Sequence, residues 1–199
     1  MISTTGILMV FYFVLLVKWG WIKRPGLYFV GVAAIAAAWG YTGGKNPYGY
    51  SGLGEVSVFI FFGLTATVGT YYAQTGHVTA LSVLCAVPMG ALACAILAVN
   101  NLRDRAQDEL VGKRTLAVRL GDSKARKGFV ALLVIAHLSA LATLLPWSLL
   151  TLAVLPLTFS ISRSVISGAS GASLIPLLGK TGKLQMFFGV LFAIALAIH

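Results

Sequence analysis

Apolar stretches long enough to enter a lipid bilayer follow one another along almost the whole chain, and short basic segments separate them. Of the 199 residues, 58 % are hydrophobic and 10 % are charged, whereas a soluble domain carries about 25 % charged residues. Cys85 and Cys94 lie nine residues apart in one apolar stretch, about 13 Å along a helix, which is too far for a disulfide bond. The sequence therefore excludes a cytosolic enzyme, a disordered protein and a disulfide scaffold, and it predicts an integral membrane protein.

The apolar stretches predict about seven membrane-spanning helices, because a bilayer core about 30 Å thick needs roughly 20 apolar residues per helix. The predicted spans are Ser3–Val17, Gly26–Trp39, Leu53–Tyr72, Val78–Val99, Gly128–Leu145, Trp147–Ile166 and Leu184–Ile198. No gap between them is long enough for a soluble domain. The predicted fold is an all-α, polytopic transmembrane helical bundle in which residues 1–199 form a single domain.

The basic residues predict the orientation of this bundle. The net charge of +10 comes from 15 Lys and Arg against 5 acidic residues. If seven spans alternate in direction, the second, fourth and sixth loops hold twelve of those basic residues, and loops rich in Lys and Arg face the cytoplasm. We therefore expect a multi-pass protein of the cell membrane with its charged end on the cytoplasmic side. Because the basic residues lie between apolar stretches, nucleic acid is not an expected partner.

Three of the five acidic residues lie within six positions, from Asp104 to Glu109. Asn100, Asp104 and Asp108 are spaced four residues apart, so a helix that continues out of the fourth span carries them on one face. Mg²⁺ is commonly held by one or two carboxylates together with phosphate oxygens of a substrate. This spacing predicts a Mg²⁺ site at the cytoplasmic end of the span.

Basic residues of the kind that bind phosphate follow the acidic cluster directly. They are Lys113, Arg114 and Arg119, and together with the acids they indicate a site for a metal-bound diphosphate. A metal at such a site promotes loss of diphosphate from an allylic carbon by neutralising the charge that develops. The spacing alone leaves open an ordinary helix end with salt pairs such as Asp104 with Arg105.

A second candidate segment, residues 41–55, is rich in glycine and tyrosine. Tyr41 and Lys45 would face the same site if the chain between them is helical. The alternative is an aromatic loop at the membrane surface, where tyrosine is common.

The motifs resemble those of the UbiA-type intramembrane prenyltransferases. The stretch from Asn100 to Gly121 (NNLRDRAQDELVGKRTLAVRLG) resembles the family's second aspartate-rich motif, and Tyr41-x-x-x-Lys45 resembles its Tyr-x-x-x-Lys element. The paired asparagines, residues 42–55 and residues 175–184 are similar to the menaquinone-pathway branch, which prenylates 1,4-dihydroxy-2-naphthoate. The resemblance covers nearly the whole chain.

This resemblance implies an activity and a set of site residues. It implies transfer of a polyprenyl group from polyprenyl diphosphate to 1,4-dihydroxy-2-naphthoate with loss of CO₂, giving demethylmenaquinone. It implies that Mg²⁺ is held by Asn100, Asp104 and Asp108. The residues implied to bind the diphosphate are Lys45, Lys113, Arg114 and Arg119. Tyr41 is implied to lie near the reacting carbon and to act in catalysis with Asp104 and Asp108.

The resemblance also reveals a missing element. Members of the family have nine helices and a first motif of the form Asn-Asp-x-x-Asp-x-x-x-Asp, which this sequence lacks. We therefore expect the seven spans to correspond to the last seven of nine helices, and the domain to be incomplete at its N-terminus. Since the first motif supplies half of the metal site in the family, we expect no transfer by this chain alone.

The sequence leaves three other functions open. A prenyltransferase of the 4-hydroxybenzoate, haem or chlorophyll branch is disfavoured by the paired asparagines and by residues 42–55. A transporter or channel that moves ions past Asp104, Asp108 and Arg103 is disfavoured because the cluster lies at a helix end. An inactive remnant without enzymatic function is the third. The sequence leaves a homo-oligomer open.

Overall fold

A computed structural model describes residues 26–198, and within this range the chain forms helices, turns and loops without a β-strand. The six helices are α1 (Gly26–Thr42), α2 (Gly54–Thr75), α3 (Ala80–Leu110), α4 (Leu116–Leu141), α5 (Pro146–Ile166) and α6 (Gly171–Ala197). A 3-10 turn, Tyr48–Ser51, lies between α1 and α2. The predicted all-α fold is confirmed for this part of the chain.

The helices overlap six of the seven predicted spans, and Ser3–Val17 lies outside the described residues. By length and hydropathy, α2, α3, α5 and α6 are able to cross a membrane, whereas the apolar α1 has 17 residues. The predicted boundaries need two corrections. Helix α4 begins at Leu116 rather than at Gly128, because its charged first half is helical as well, apart from a kink at Gly121, where φ is 74°. Helix α6 begins at Gly171 rather than at Leu184, so most of the predicted sixth loop is helix.

Helix α3 is the longest element and leads from the apolar interior to the acidic cluster. Its first turn is closed by a capping box, in which the backbone N–H of Ser82 donates to Thr79 and the backbone N–H of Thr79 donates to Ser82. Its 31 residues extend for about 46 Å, well beyond a bilayer core of about 30 Å. The acidic cluster therefore lies on a continuing helix, as the spacing predicts.

Small residues bring α2 and α3 into close contact. A Cβ atom added to Gly63 would lie 2.6 Å from the Cα atom of Gly90. The same part of α2, Phe59–Thr65, is π-helical. Glycine at this crossing lets two backbones approach without side chains between them, which is a common way for membrane helices to associate.

The core lies between α3, α4, α5 and α6. Its largest fully buried side chains include Leu92 of α3, Phe129 of α4, Ile161 of α5 and Phe188 of α6. Cys85 and Cys94 are free and buried in it, as predicted. These contacts fix the position of α3, and with it the acidic cluster.

Polar contacts at one end of the bundle join three helices. The buried guanidinium of Arg126 donates to both carboxylate oxygens of Asp122 at 2.6 and 2.9 Å, and to the backbone oxygens of Val165 and Ala169 at 2.5 and 2.8 Å. Arg105 of α3 lies 3.9 Å from Asp122. The start of α4, the end of α5 and the end of α3 therefore meet at the same end of the bundle.

Candidate active site

The acidic residues on the last turns of α3 are each paired with a base. The Arg103 guanidinium donates to both carboxylate oxygens of Asp104, at 2.7 and 2.6 Å. The side chain of Asp108 is 9 % exposed, and one of its oxygens lies 3.2 Å from Lys113 Nζ. The salt pair of Asp104 with Arg105 that the sequence suggested is wrong, because Arg105 points towards Glu109 and Asp122 instead.

Two loops that are distant in sequence meet beside this helix end. Lys113 Nζ lies 4.7 Å from the ring centroid of Tyr50, and the backbone N–H of Arg114 donates to the backbone oxygen of Tyr50 at 2.8 Å. Gly112, with φ of 77°, turns the chain sharply after α3, in a conformation that glycine adopts at little cost. Lys113 also lies close enough to Asp104 for electrostatic interaction. The structure thus brings Asp104, Asp108 and Lys113 together.

Arg119, in the first turn of α4, contacts both of these segments. Its Nε atom donates to the backbone oxygen of Arg114 at 3.1 Å. A Cβ atom added to Gly52 would lie 2.8 Å from the same side chain, so glycine at that position leaves room for the arginine. Arg114 and Arg119 are both exposed.

Tyr41 is held in place by the 3-10 turn that follows α1. Its ring makes an edge-to-face contact with Tyr48, with centroids 5.5 Å apart, and a Cβ atom added to Gly54 would lie 3.0 Å from its hydroxyl oxygen. Helix α1 ends at Thr42, and Gly44 has a φ of 79°. Tyr41 and Lys45 therefore do not share a continuous helical face, and the exposed Lys45 lies in the loop.

Two apolar cavities of about 460 Å³ each lie below the loops. One is lined by Tyr41 together with residues of α1 and α2. The other is lined by Asn100 of α3 together with residues of α2 and α6. Val58 and Phe62 line both cavities. Tyr41 and Asn100 thus face neighbouring apolar spaces, and Asn100 lies at the transition from apolar wall to acidic cluster.

A polar contact inside the bundle was missed by the sequence analysis. The Asn101 amide donates to Glu55 Oε1 at 3.0 Å, and the Cys94 thiol donates to the backbone oxygen of Glu55 at 3.1 Å. The second oxygen, Oε2, is buried without a hydrogen-bond partner among the described residues. This contact joins the start of α2 to α3, next in sequence to Asn100, which lines one of the cavities. The signal available in the sequence was that Glu55 is a single acidic residue at the start of an apolar stretch.

The donor set fits a cation that is completed by phosphate oxygens. Two carboxylates and an amide lie four residues apart along one helix, and Mg²⁺ in proteins is commonly held by one or two carboxylates together with phosphate oxygens of a substrate. Within residues 26–198, no three His, Cys, Asp or Glu side chains form a group able to hold a metal by themselves. Asp104 and Asp108 are therefore suited to one side of a shared metal–diphosphate site.

Comparison with known proteins identifies the family. The UbiA prenyltransferase family matches residues 2–174. A 1,4-dihydroxy-2-naphthoate octaprenyltransferase of Mycobacterium tuberculosis is 43 % identical over 178 residues, covering 88 % of this chain and 61 % of that protein. The protein of the same name from Haemophilus influenzae is 41 % identical over 174 residues, covering 85 % and 56 %. No solved structure matches the chain.

The corresponding protein of Escherichia coli is 36 % identical over 178 residues, covering 86 % of this chain and 57 % of that protein. The chain thus spans between 56 % and 61 % of the length of these curated relatives. Since both the family match and the relatives cover most of the chain, it belongs to the UbiA prenyltransferase family.

Proposed function

We propose that this chain acts in the transfer of a polyprenyl group from polyprenyl diphosphate to 1,4-dihydroxy-2-naphthoate, with loss of CO₂, giving the reduced (hydroquinone) form of demethylmenaquinone. The observation that carries the proposal is the face of α3 formed by Asn100, Asp104 and Asp108, which passes from an apolar cavity to the base Lys113. The choice of naphthoate rests on the names of the relatives. The basic loops support a site that faces the cytoplasm.

The reaction needs charge stabilisation at the leaving group. The bond between the allylic C1 and the diphosphate oxygen breaks, and its electron pair leaves with the diphosphate. Mg²⁺ supplies Lewis-acid stabilisation of that growing negative charge. Lys113 and Arg114, from the loop after α3, and Arg119, from the first turn of α4, provide positive groups for the diphosphate.

Carbon–carbon bond formation then uses the electron-rich ring. The ring carbon that carries the carboxylate attacks the allylic carbon, and CO₂ leaves while its bonding pair returns to the ring. No proton is required in this exchange. Tyr41 and Phe62 both line one apolar cavity, and in the proposed reaction the ring of Tyr41 stabilises the allylic cation through its π face.

The salt pairs at the site imply an exchange of partners on binding. Asp104 and Asp108 are neutralised by Arg103 and Lys113, so a metal alone must displace a base to reach them. A metal-bound diphosphate offers each displaced base a new anion. We therefore propose that Mg²⁺ and prenyl diphosphate bind cooperatively, each weakly alone and tightly together.

Binding is tested by the thermal unfolding of the full chain in detergent, with a prenyl diphosphate and Mg²⁺ added singly and together. At about 100 times the dissociation constant, ligand binding raises Tm by roughly 5–10 °C. We expect this rise when both are present, and its loss in Asp104→Asn and Asp108→Asn. Glu109→Gln is the matched control, since Glu109 is exposed on the same helix end. Equal effects of all three substitutions would overturn the metal assignment.

Transfer is tested in membranes of a host without its own enzyme, with the chain alone and joined to the N-terminal segment of a relative. We expect Mg²⁺-dependent formation of demethylmenaquinone by the joined protein, and its loss in Asp104→Asn. A prenylated 4-hydroxybenzoate without a naphthoquinone would contradict the naphthoate assignment. If Mg²⁺ and prenyl diphosphate bind but neither the chain alone nor the joined protein transfers the prenyl group, the catalytic role would be wrong. The assignment of the ligand-binding site would then still be supported.

A further inference from the structure

An apolar groove on the outer side of the bundle lies between α4 and α5, away from the candidate active site. Its volume is about 710 Å³, and Val130 and Val134 line it on the α4 side. On the α5 side, Leu155, Phe159 and Ile166 line it, and these three side chains are 42 %, 69 % and 52 % exposed. Neither the described helices nor the described loops cover this groove.

One end of the groove is basic. Arg163, in the last turn of α5, lines it together with Ser162. Lys127 lies three residues before Val130 on α4, so it lies one turn nearer the same end on that helix face. Both basic side chains are exposed.

No acidic residue of the described chain compensates the positive charge of Arg163 and Lys127. Within residues 26–198, no acidic side chain lines the groove. The acid of α4, Asp122, is occupied by the buried Arg126. The basic end is thus complementary to an anion, and its position at the end of α5 places it at the same end of the bundle as Asp104 and Asp108.

The dimensions of the groove match one leaflet of a bilayer. From Leu155 to Arg163 the helix rises about 12 Å, and half of a hydrocarbon core is about 15 Å thick. A groove with an apolar floor and basic groups at headgroup depth suits a lipid that carries an anionic headgroup.

We propose that this groove binds an anionic phospholipid, with one acyl chain along Val134 and Phe159 and the headgroup phosphate between Arg163 and Lys127. The ligand class follows from the groove's position, its length and its charge, and it is independent of the proposed transfer reaction. A zwitterionic phospholipid fills the same apolar floor but gains less from the two uncompensated bases.

The test is native mass spectrometry of the full chain in detergent, titrated with phosphatidylglycerol or phosphatidylcholine of identical acyl chains. We expect tighter binding of phosphatidylglycerol, and a roughly fivefold loss of that preference for each of Arg163→Gln and Lys127→Gln. Lys180→Gln is the matched control, because Lys180 is exposed on α6 outside the groove. Val134→Phe, which fills the groove, is expected to weaken binding of both lipids.

Several outcomes would overturn the proposal. Equal binding of the two lipids, or an equal effect of Lys180→Gln, would mean that the groove has no preference for anionic lipid. Displacement of phosphatidylglycerol by prenyl diphosphate would assign the groove to the substrate. If the protein is a dimer that Val134→Phe dissociates, and the two lipids bind equally, the groove would be assigned to a second copy of the chain. Tm values of all variants within about 2 °C of the unaltered protein verify that the fold is kept.

Discussion

Replacing Arg126 by methionine should destabilise the protein strongly, although the chain carries many other basic residues. The guanidinium is buried and makes four hydrogen bonds, two to Asp122 and two to the backbone oxygens of Val165 and Ala169. Methionine keeps the apolar part of the side chain and removes every one of these donors. The two backbone oxygens at the end of α5 then lose the charged group that donates a hydrogen bond to each of them.

The loss of stability in Arg126→Met depends on how well water can solvate the groups that lose the guanidinium as a partner. Removing one partner of a buried ion pair costs about 3–5 kcal/mol. The side chain of Asp122 is 48 % exposed, so water solvates it in the variant, and we expect the lower value of about 3 kcal/mol. For a chain of this size, 1 kcal/mol shifts Tm by about 2–4 °C, so the expected decrease is roughly 6–12 °C.

The two buried cysteines provide the assay. Cys85 and Cys94 are 6 % and 2 % exposed, so a thiol-reactive fluorescent dye labels them as the bundle unfolds on heating. Arg126→Lys keeps the charge but loses the planar set of donors, so its Tm should lie between those of the unaltered protein and of Arg126→Met. Lys124→Met removes an exposed base from the same helix and should shift Tm by less than about 2 °C. A decrease for Arg126→Met no larger than that of Lys124→Met would refute the assigned role.

Two further predictions concern stability. Hydrogen bonds from Arg126 lower the pKa of the Asp122 carboxyl below its ordinary value, so this ion pair stabilises the fold above about pH 5 and loses that effect as the pH falls through the lowered pKa. The deficit in Tm of Asp122→Asn should thus be constant above pH 5 and shrink below about pH 4; a deficit independent of pH would contradict the pairing. Gly63→Ala should destabilise by about 1–3 kcal/mol, because its Cβ would lie 2.6 Å from the Cα of Gly90, whereas Gly69→Ala, which meets nothing within 4 Å, should be neutral or slightly stabilising in the same dye assay.

The sequence was informative where one helix determines the geometry. Residues four apart on a helix share a face whatever the surrounding fold, so the alignment of Asn100, Asp104 and Asp108 needed only the continuation of α3 beyond the membrane. The same rule failed for Tyr41 and Lys45, because α1 ends at Thr42 before the turn is complete. Periodicity identifies a face, but it does not say where a helix ends when glycine and proline follow.

Contacts between distant segments could not be predicted. Glu55 and Asn101 are 46 residues apart, and their hydrogen bond depends on the crossing of α2 and α3. Tyr50 meets Lys113 for a similar reason, since two loops converge at one end of the bundle. The sequence indicates which residues are polar, whereas the packing of the helices decides which of them meet.

Arg126 shows why basic residues in membrane loops cannot be interpreted by counting alone. Its contribution to the positive charge is the same as that of Arg103 or Lys113, and the orientation argument treats all three alike. In the structure, Arg126 is 8 % exposed in its side chain, whereas Arg103 is 27 % and Lys113 is 34 % exposed. Under the proposed function, a metal-bound diphosphate can compete for the two accessible bases, because the metal would neutralise the carboxylates of Asp104 and Asp108 that the bases leave. It cannot compete for Arg126, because moving that guanidinium would also expose the end of α5. The same kind of residue is therefore open to exchange with a ligand where its salt pair is accessible, and it holds helices together where it is buried.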